Sequence, residues 1–439
     1  MIGVKSMTDE IKTIKKIERG MTGEIKIPGD KSISHRSVIL SSLATTPIEI
    51  KNFLRGADCL STLECMRALS VQIEDDGKNL LVTGHGLHGL KEPESILDAG
   101  NSGTTLRLLL GLLASQRFFT TFTGDKSLSK RPMGRVIRPL SKMGARIYGR
   151  AGGKYLPITI LPASKKIHGI AYEMPVSSAQ VKSALLLAGL YSVGNTTIFE
   201  PYPSRDHTER MMEAFGVDLE RRGNSITIQP ITDEQIHAPE TIEVPGDISS
   251  AMYWIVLATI LEGSDILIRD VGINPTRTGA IDILKAMGAN IDLTNIRTSS
   301  GEQFADVHVT SAKLHGTSFG EEIIPRLIDE IPILAVAAAF ADGETVITGA
   351  SELRVKETDR LSVITTEYNR LMPGAFKDTD STLTIIGGRK IKMNHCSSHG
   401  DHRIAMSLAI FGALGEGVDI VDPSCVDISY PEFYETLGS

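Results

Sequence analysis

The sequence predicts an α/β protein of two domains built from six related units, and three observations predict it. An octet recurs: Ile27-Pro28-Gly29-Asp30-Lys31-Ser32-Ile33-Ser34 returns as Val244-Pro245-Gly246-Asp247-Ile248-Ser249-Ser250-Ala251, 217 residues further along a chain of 439. Weaker copies of the same polar loop, each running into a helix rich in Ala, Leu and Ser, begin near Gly100-Asn101-Ser102-Gly103-Thr104-Thr105, Ser177-Ser178-Ala179-Gln180, Ile328-Asp329-Glu330-Ile331-Pro332 and His399-Gly400-Asp401-His402-Arg403. Loop positions 30, 101, 178, 247, 329 and 401 stand 69 to 82 residues apart and fill the chain, which is the signature of a repeated supersecondary unit.

Within a unit the loop starts a helix, and a short β-branched strand follows: Ile48–Ile50, Phe119–Thr123, Thr196–Phe199, Ile266–Ile268, Thr345–Thr348 and Val418–Val421. Several units carry a second helix that closes on a common ending, Met143-Gly144-Ala145, Met287-Gly288-Ala289 and, more loosely, Phe215-Gly216-Val217. Glycine after an apolar last turn is a helix stop. Further strands such as Arg146–Tyr148 and Ser225–Ile228 come next, so each unit reads helix, strand, helix, strand, strand, and the whole reads as mixed sheets around buried helices. The strand-like Gly23–Ile27 and Thr241–Val244 each end in Pro-Gly-Asp and mark the places where the chain crosses between domains. That gives 30–244 as an inserted domain and 1–29 plus 245–439 as the second, with a hinge near 28–30 and 244–247. A cleft closed by such a hinge excludes water from reactive groups.

Length and 41% hydrophobic content exceed what a single core organises and support two. The net charge of −7, aromatic content of 5% and single tryptophan disfavour nucleic-acid and anionic-membrane surfaces. Cys59, Cys65, Cys396 and Cys425 show no CxxC or zinc spacing and read as reduced thiols of a cytoplasmic protein, with no metal site. Met1–Thr13 has no apolar core of a targeting signal, and the apolar stretches Leu108–Leu113 and Ile333–Phe340 are too short to span a bilayer.

The chemistry lies in the loops. Glycine-led helix starts favour anions, because first-turn N–H groups lack partners and peptide dipoles add. Basic residues reinforce this at Lys31, Arg36, Arg107, Arg205 and Arg403, and gather again in Gly124–Pro132 and Arg354–Arg360. If the loops converge, they form a cationic lining suited to carboxylates and phosphates. Asp329 and Glu357 would then be carboxylates inside it, where acid and base groups are tuned.

Gly29–Arg36, Leu97–Arg107, Lys130-Arg131-Pro132, Lys356-Glu357-Thr358-Asp359-Arg360 and Asp401-His402-Arg403 resemble the signatures of the 5-enolpyruvylshikimate-3-phosphate synthase family over nearly the whole chain. The resemblance implies a two-domain enolpyruvyl transferase-like fold with three βαβαββ units per domain. It implies transfer of the enolpyruvyl group of phosphoenolpyruvate to the 5-hydroxyl of shikimate 3-phosphate, on the route to chorismate and aromatic amino acids, by a monomer without a cofactor. By motif, Lys31, Ser32, Arg36, Ser177 or Ser178, Gln180, Arg205, Asp329 and Lys356 would hold shikimate 3-phosphate. Lys31, Gly103, Arg131, Gln180, Arg360 and Arg403 would hold phosphoenolpyruvate. Asp329, Glu357 and Lys31 would be catalytic.

Ala179 interrupts the family's Ser-Ser-Gln stretch, and Asp427-Ile428-Ser429 stands where some relatives carry a lysine. The sister transferase acting on UDP-N-acetylglucosamine carries a cysteine in the loop matching Gly124–Arg135, which has none here. An RNA-end phosphate cyclase is disfavoured by the acidic charge. A non-catalytic anion binder is disfavoured by Asp329 and Glu357, which bring negative charge that binding alone does not need.

Overall fold

The structure is a computed structural model that describes residues 10–438. Most of Met1–Thr13, read above for targeting signals, lies outside the described residues.

All six loops run into helices: Lys31–Ser41, Gly103–Leu113, Ala179–Gly189, Ile248–Ile260, Ile331–Ala339 and His402–Leu414. Asp30, Ser102, Ser178, Asp247 and Asp401 each accept a first-turn backbone N–H through the side chain, satisfying a donor that helix geometry orphans. Ile331–Ala339 instead carries Pro332 in its first turn, where a missing N–H costs nothing. These helices are buried nearly all round, as their composition demands. Every position of Ile331–Ala339 is buried, and Gly103–Leu113 leaves only Thr104 and Arg107 partly open.

Among the described residues, six small sheets surround them. The sheet of the second unit shows the pattern. Leu97–Asp98 runs parallel to Thr120–Thr123, which is antiparallel to Tyr155–Ile160, itself paired with Ile147–Gly149. The buried apolar side chains fall into two clusters. One runs from Ile33 to Val244; the other takes Ile14, Ile27 and Ile248 through Phe433. We call the corresponding parts the first and second lobes.

The two octets exchange strands between lobes. Thr22–Lys26, ahead of the first octet, pairs with Asp265–Gly272 of the second lobe, with Ile25 opposite Ile268. Thr241–Glu243, ahead of the second, pairs with Ile48–Lys51 of the first lobe, with Ile242 opposite Ile50. Between these strands and the helices the two crossings lie side by side. The Asp30 N–H donates to the Pro245 carbonyl at 2.7 Å and the Asp247 N–H to the Pro28 carbonyl at 2.9 Å. The sequence repeat is thus a structural two-fold at the point of crossing.

The sixth sheet has three strands among the described residues and is closed by one far away in sequence. Ile11–Ile14 runs antiparallel to Val418–Val421, with Ile11 opposite Val421, and His395–Ser397 runs parallel to it. Nothing in the sequence pattern announced the Ile11–Ile14 strand, because only Ile14 of its four residues is buried.

In the first lobe the Gly103–Leu113 and Ala179–Gly189 helices touch at backbone distance. A Cβ on Gly111 would lie 2.2 Å from the Ala184 carbonyl oxygen. Gly111→Val is therefore expected to destabilise the protein by about 3 kcal/mol through overpacking, read as a lower urea midpoint. An unchanged midpoint would show that the helices separate freely.

Candidate active site

The first turns of the buried helices open onto one cleft of about 440 Å³ between the lobes, within the usual size of a small-molecule site. Lys31, Ser32, Gly103, Thr104, Ser178 and Ala179 line it from the first lobe, and Asp247, Asp329, His402 and Arg403 from the second. Helix starts aimed at a shared space make it positive before any side chain is counted. Every residue that the sequence motifs assigned to substrate binding or catalysis lines this cleft: Arg36, Arg131, Ser177, Gln180, Arg205, Lys356, Glu357 and Arg360 join those above. From the basic runs, Lys126, Lys130 and Arg354 do not. Arg354 corrects the expectation of a lining role, because it is held by Asp359 at 2.8 Å and Asp378 at 2.7 Å.

Lys31, the first residue of its helix, sets its ammonium 2.5 Å from Asp58 on the Ala57–Ala68 helix. Burial, the largest single influence, would lower its pKa, but Asp58, with Glu357 and Cys59 adding to it, reverses that and keeps it raised, so Lys31 is an ammonium. Arg36 donates to Thr208 Oγ1 at 2.6 Å, Ser183 Oγ at 2.9 Å and the Ser32 carbonyl at 2.8 Å, so the protein fixes its plane. Ser177 Oγ donates to the Tyr202 carbonyl at 2.6 Å and accepts from the Tyr202 N–H at 3.0 Å, whereas Ser178 caps its helix through Val181 N.

Gly103 sits beneath two guanidiniums. A Cβ there would meet Arg107 Nη1 at 2.8 Å and Arg131 Nη1 at 3.5 Å. Arg131 donates to Asn101 Oδ1 at 2.8 Å, and Arg107 to Gln180 Oε1 at 2.5 Å. Burial, with Arg131 and Arg135 nearby, lowers the Arg107 pKa to about 10. It remains cationic and strengthens the positive corner around Gly103.

Across the cleft Asp329 accepts from Arg360 at 3.2 Å and Lys356 at 3.3 Å, and forms an ion pair with Arg205 at 2.7 Å. Glu357 meets Arg360 at 2.7 Å and Arg131 at 3.4 Å. Arg360 is itself gripped by Asp401, the cap of the His402–Leu414 helix, at 2.7 Å and 3.2 Å. Burial would raise both cleft carboxyls. Lys356, Arg205, Arg403 and Arg360 reverse that at Asp329, and chiefly Arg360 and Arg131 at Glu357, so both lie well below the ordinary carboxylate range. Burial, then Lys31 and Arg403, hold His402 well below the usual imidazole value and hence neutral. Arg205–Asp329, Arg131–Glu357 and Arg135–Glu352 at 3.1 Å all join residues of opposite lobes.

Asp58, His402 and Arg277 also line the cleft and were not singled out from sequence as site residues. The one available signal was His402's place between Asp401 and Arg403.

Residues 15–437 match the sequence profile of the family EPSP synthase (3-phosphoshikimate 1-carboxyvinyltransferase). The chain belongs to the EPSP synthase family. It is 51% identical over 423 residues to a 3-phosphoshikimate 1-carboxyvinyltransferase of Thermoanaerobacter sp. (strain X514), covering 96% of this chain and 98% of that one. It is likewise 51% identical over 428 residues to the protein of that name from Desulforudis audaxviator (strain MP104C), covering 96% and 97%. The solved structure of EPSP synthase from Acinetobacter baumannii superposes with a TM-score of 0.87 at 42% identity, over 98% of both chains. The enolpyruvyl transferase NikO from Streptomyces tendae shares the fold alone, with a TM-score of 0.76 at 17% identity, covering 98% of this chain and 97% of that one. The EPSP synthase family fold thus has its two lobes and six small sheets here, with the sixth sheet completed by Ile11–Ile14.

Proposed function

We propose that this cleft transfers the enolpyruvyl group of phosphoenolpyruvate to the 5-hydroxyl of shikimate 3-phosphate and releases phosphate, a step of the shikimate pathway to aromatic amino acids. The observation that carries the proposal is the pair Asp329 and Glu357, two carboxylates set apart among convergent arginines and lysines. Addition forms a bond from the 5-oxygen to C2 of phosphoenolpyruvate and a C–H bond at C3; elimination breaks the C2–phosphate bond and a C3–H bond. Asp329, steadied by Lys356, takes the hydroxyl proton, and Glu357 gives a proton to C3 and takes one back. Lys31, Arg131, Arg360, Arg403 and Gln180 hold phosphoenolpyruvate over the space that Gly103 leaves open. Ser32, Arg36, Gln180 and Arg205 hold shikimate 3-phosphate, and Ser178 joins them in preference to Ser177, whose oxygen is engaged with Tyr202.

The same proposal takes 30–244 as one domain and 1–29 plus 245–439 as the other, turning on the paired crossings; the separate cores support it. The protein acts as a cytoplasmic monomer on small molecules, without nucleic acid, and the chemistry asks for no cofactor. No helix among the described residues is long and apolar enough to cross a membrane.

Phosphate release should require shikimate 3-phosphate and phosphoenolpyruvate together, with neither sufficing alone. Release with UDP-N-acetylglucosamine in place of shikimate 3-phosphate would overturn the acceptor.

A pH dependence follows from the depressed carboxyls. In the free cleft Arg360 and Arg131 hold Glu357 ionised. Bound phosphate and carboxylate groups compete for those guanidiniums, so the Glu357 pKa rises on substrate binding and the acid form becomes available. The ionisation belonging to Glu357 should lie at higher pH in the kcat profile than in the kcat/KM profile and vanish in Glu357→Gln. Equal positions in both profiles would refute the coupling.

A further inference from the structure

The loop between the Asp265–Gly272 strand and the Gly279–Ala286 helix sends one arginine, Arg277, into the junction of the two crossings. Arg277 is 2% exposed. Its Nη1 lies 3.3 Å from Asp30 Oδ2 and its Nη2 lies 3.4 Å from Asp247 Oδ1, 2.7 Å from Ser249 Oγ and 3.6 Å from Glu330 Oε1. Ser249 also donates to Glu330.

The carboxylates involved have other duties. Asp30 Oδ1 caps the Lys31–Ser41 helix through Ile33 N at 2.9 Å. Asp247 Oδ1 caps the Ile248–Ile260 helix through Ser249 N at 2.8 Å, while its Oδ2 accepts from the Lys31 N–H of the other lobe at 3.2 Å. Glu330 directly follows Asp329. One guanidinium therefore grips the caps of the equivalent helices in both lobes and the neighbour of the cleft carboxylate.

We propose that Arg277 is a positioning residue that fixes Lys31 of the first lobe relative to Asp329 of the second, by clamping Asp30, Asp247 and Glu330 together. It touches neither substrate in this scheme, and its catalytic consequence rests on the function proposed above. The planar fork matters, because Nη1 faces Asp30 while Nη2 faces Asp247, Ser249 and Glu330, and holding both sides at once needs two donor nitrogens in one rigid plane, which an ammonium lacks. Once the clamp is lost the cap carboxylates repel each other in a buried space and the crossings loosen, while the cores that stabilise each lobe are untouched. Misplacement on the scale of an ångström is enough to depress a chemical step about 100-fold.

Arg277→Gln and Arg277→Lys, with Asp30→Asn as a cap-preserving companion, test this. Two readouts are compared with wild type: steady-state phosphate release, and hydrogen–deuterium exchange of peptides spanning 27–33 and 244–250. In Arg277→Gln, kcat should fall about 100-fold with KM values within about threefold, and both crossing peptides should exchange faster while the buried helices stay protected. Arg277→Lys should recover only part of kcat. A folded Arg277→Gln with wild-type kcat, or with unchanged exchange at both crossings, overturns the proposal. If Arg277→Gln does not fold, Asp30→Asn decides it, since Asn still caps a helix; unchanged kcat and exchange there overturn it equally. Absence of phosphate release from wild type would instead remove the functional assignment, and exchange would still report on the clamp.

Discussion

Glu357→Gln should fold with a modestly lower melting temperature and turn over about 10³-fold more slowly. The glutamine keeps the size of the side chain and an acceptor for Arg360 and Arg131, which now lie 2.7 Å and 3.4 Å from the carboxylate, but it has no proton to lend to carbon. Binding of both substrates should therefore persist, and isothermal titration with shikimate 3-phosphate should give a dissociation constant near wild type. Stability at neutral pH should fall modestly, since the carboxylate that Arg360 and Arg131 hold well below its ordinary range stabilises the folded cleft, and that contribution leaves with the charge. A variant that retained more than a tenth of wild-type turnover would remove Glu357 from the proton path.

Lys31→Met should be as damaging and should differ in a way that separates chemistry from architecture. Lys31 lies at the N-terminus of the Lys31–Ser41 helix, and its ammonium pairs with Asp58 at 2.5 Å. Removing the lysine strips the cleft of a cation that the proposed function assigns to both substrates, and leaves Asp58 buried without its partner. Turnover should fall about 10³-fold through lost transition-state charge stabilisation. Stability should fall by about 3 kcal/mol, because breaking a buried pair leaves an uncompensated charge. Adding Asp58→Asn should restore most of the stability and none of the activity. Recovery of turnover in the double variant would mean that Lys31 served only to neutralise Asp58.

The helix starts were legible because their signal is local: Asp30, Ser102, Ser178, Asp247 and Asp401 are cap residues placed directly before their helices. The strands at Thr196–Phe199, Ser225–Ile228 and Val418–Val421 fall where the β-branched runs put them. The cleft lining was legible by motif, since the same loops carry both the caps and the charges. Partnerships were not. Asp58 is distant in sequence from Lys31, and its helix starts with an ordinary glycine at position 56. Arg277 sits in a loop whose composition says only that a turn occurs, and its role depends on three carboxylates brought from separate elements. Arg354 shows the converse: a basic residue in a functional run that nearby carboxylates hold away from the cleft.

The placement of the first strands has a consequence for how the chain emerges from the ribosome. Residues 33–244 carry one complete core, so the first lobe can fold as soon as it is synthesised. The segment ahead of it has nothing to join. Thr22–Lys26 must wait for Asp265–Gly272, and Ile11–Ile14 for Val418–Val421, some four hundred residues later in the chain. The Ile11–Ile14 and Thr22–Lys26 strands are thus among the last to find their places, and the second lobe closes only after Val418–Val421 has been made.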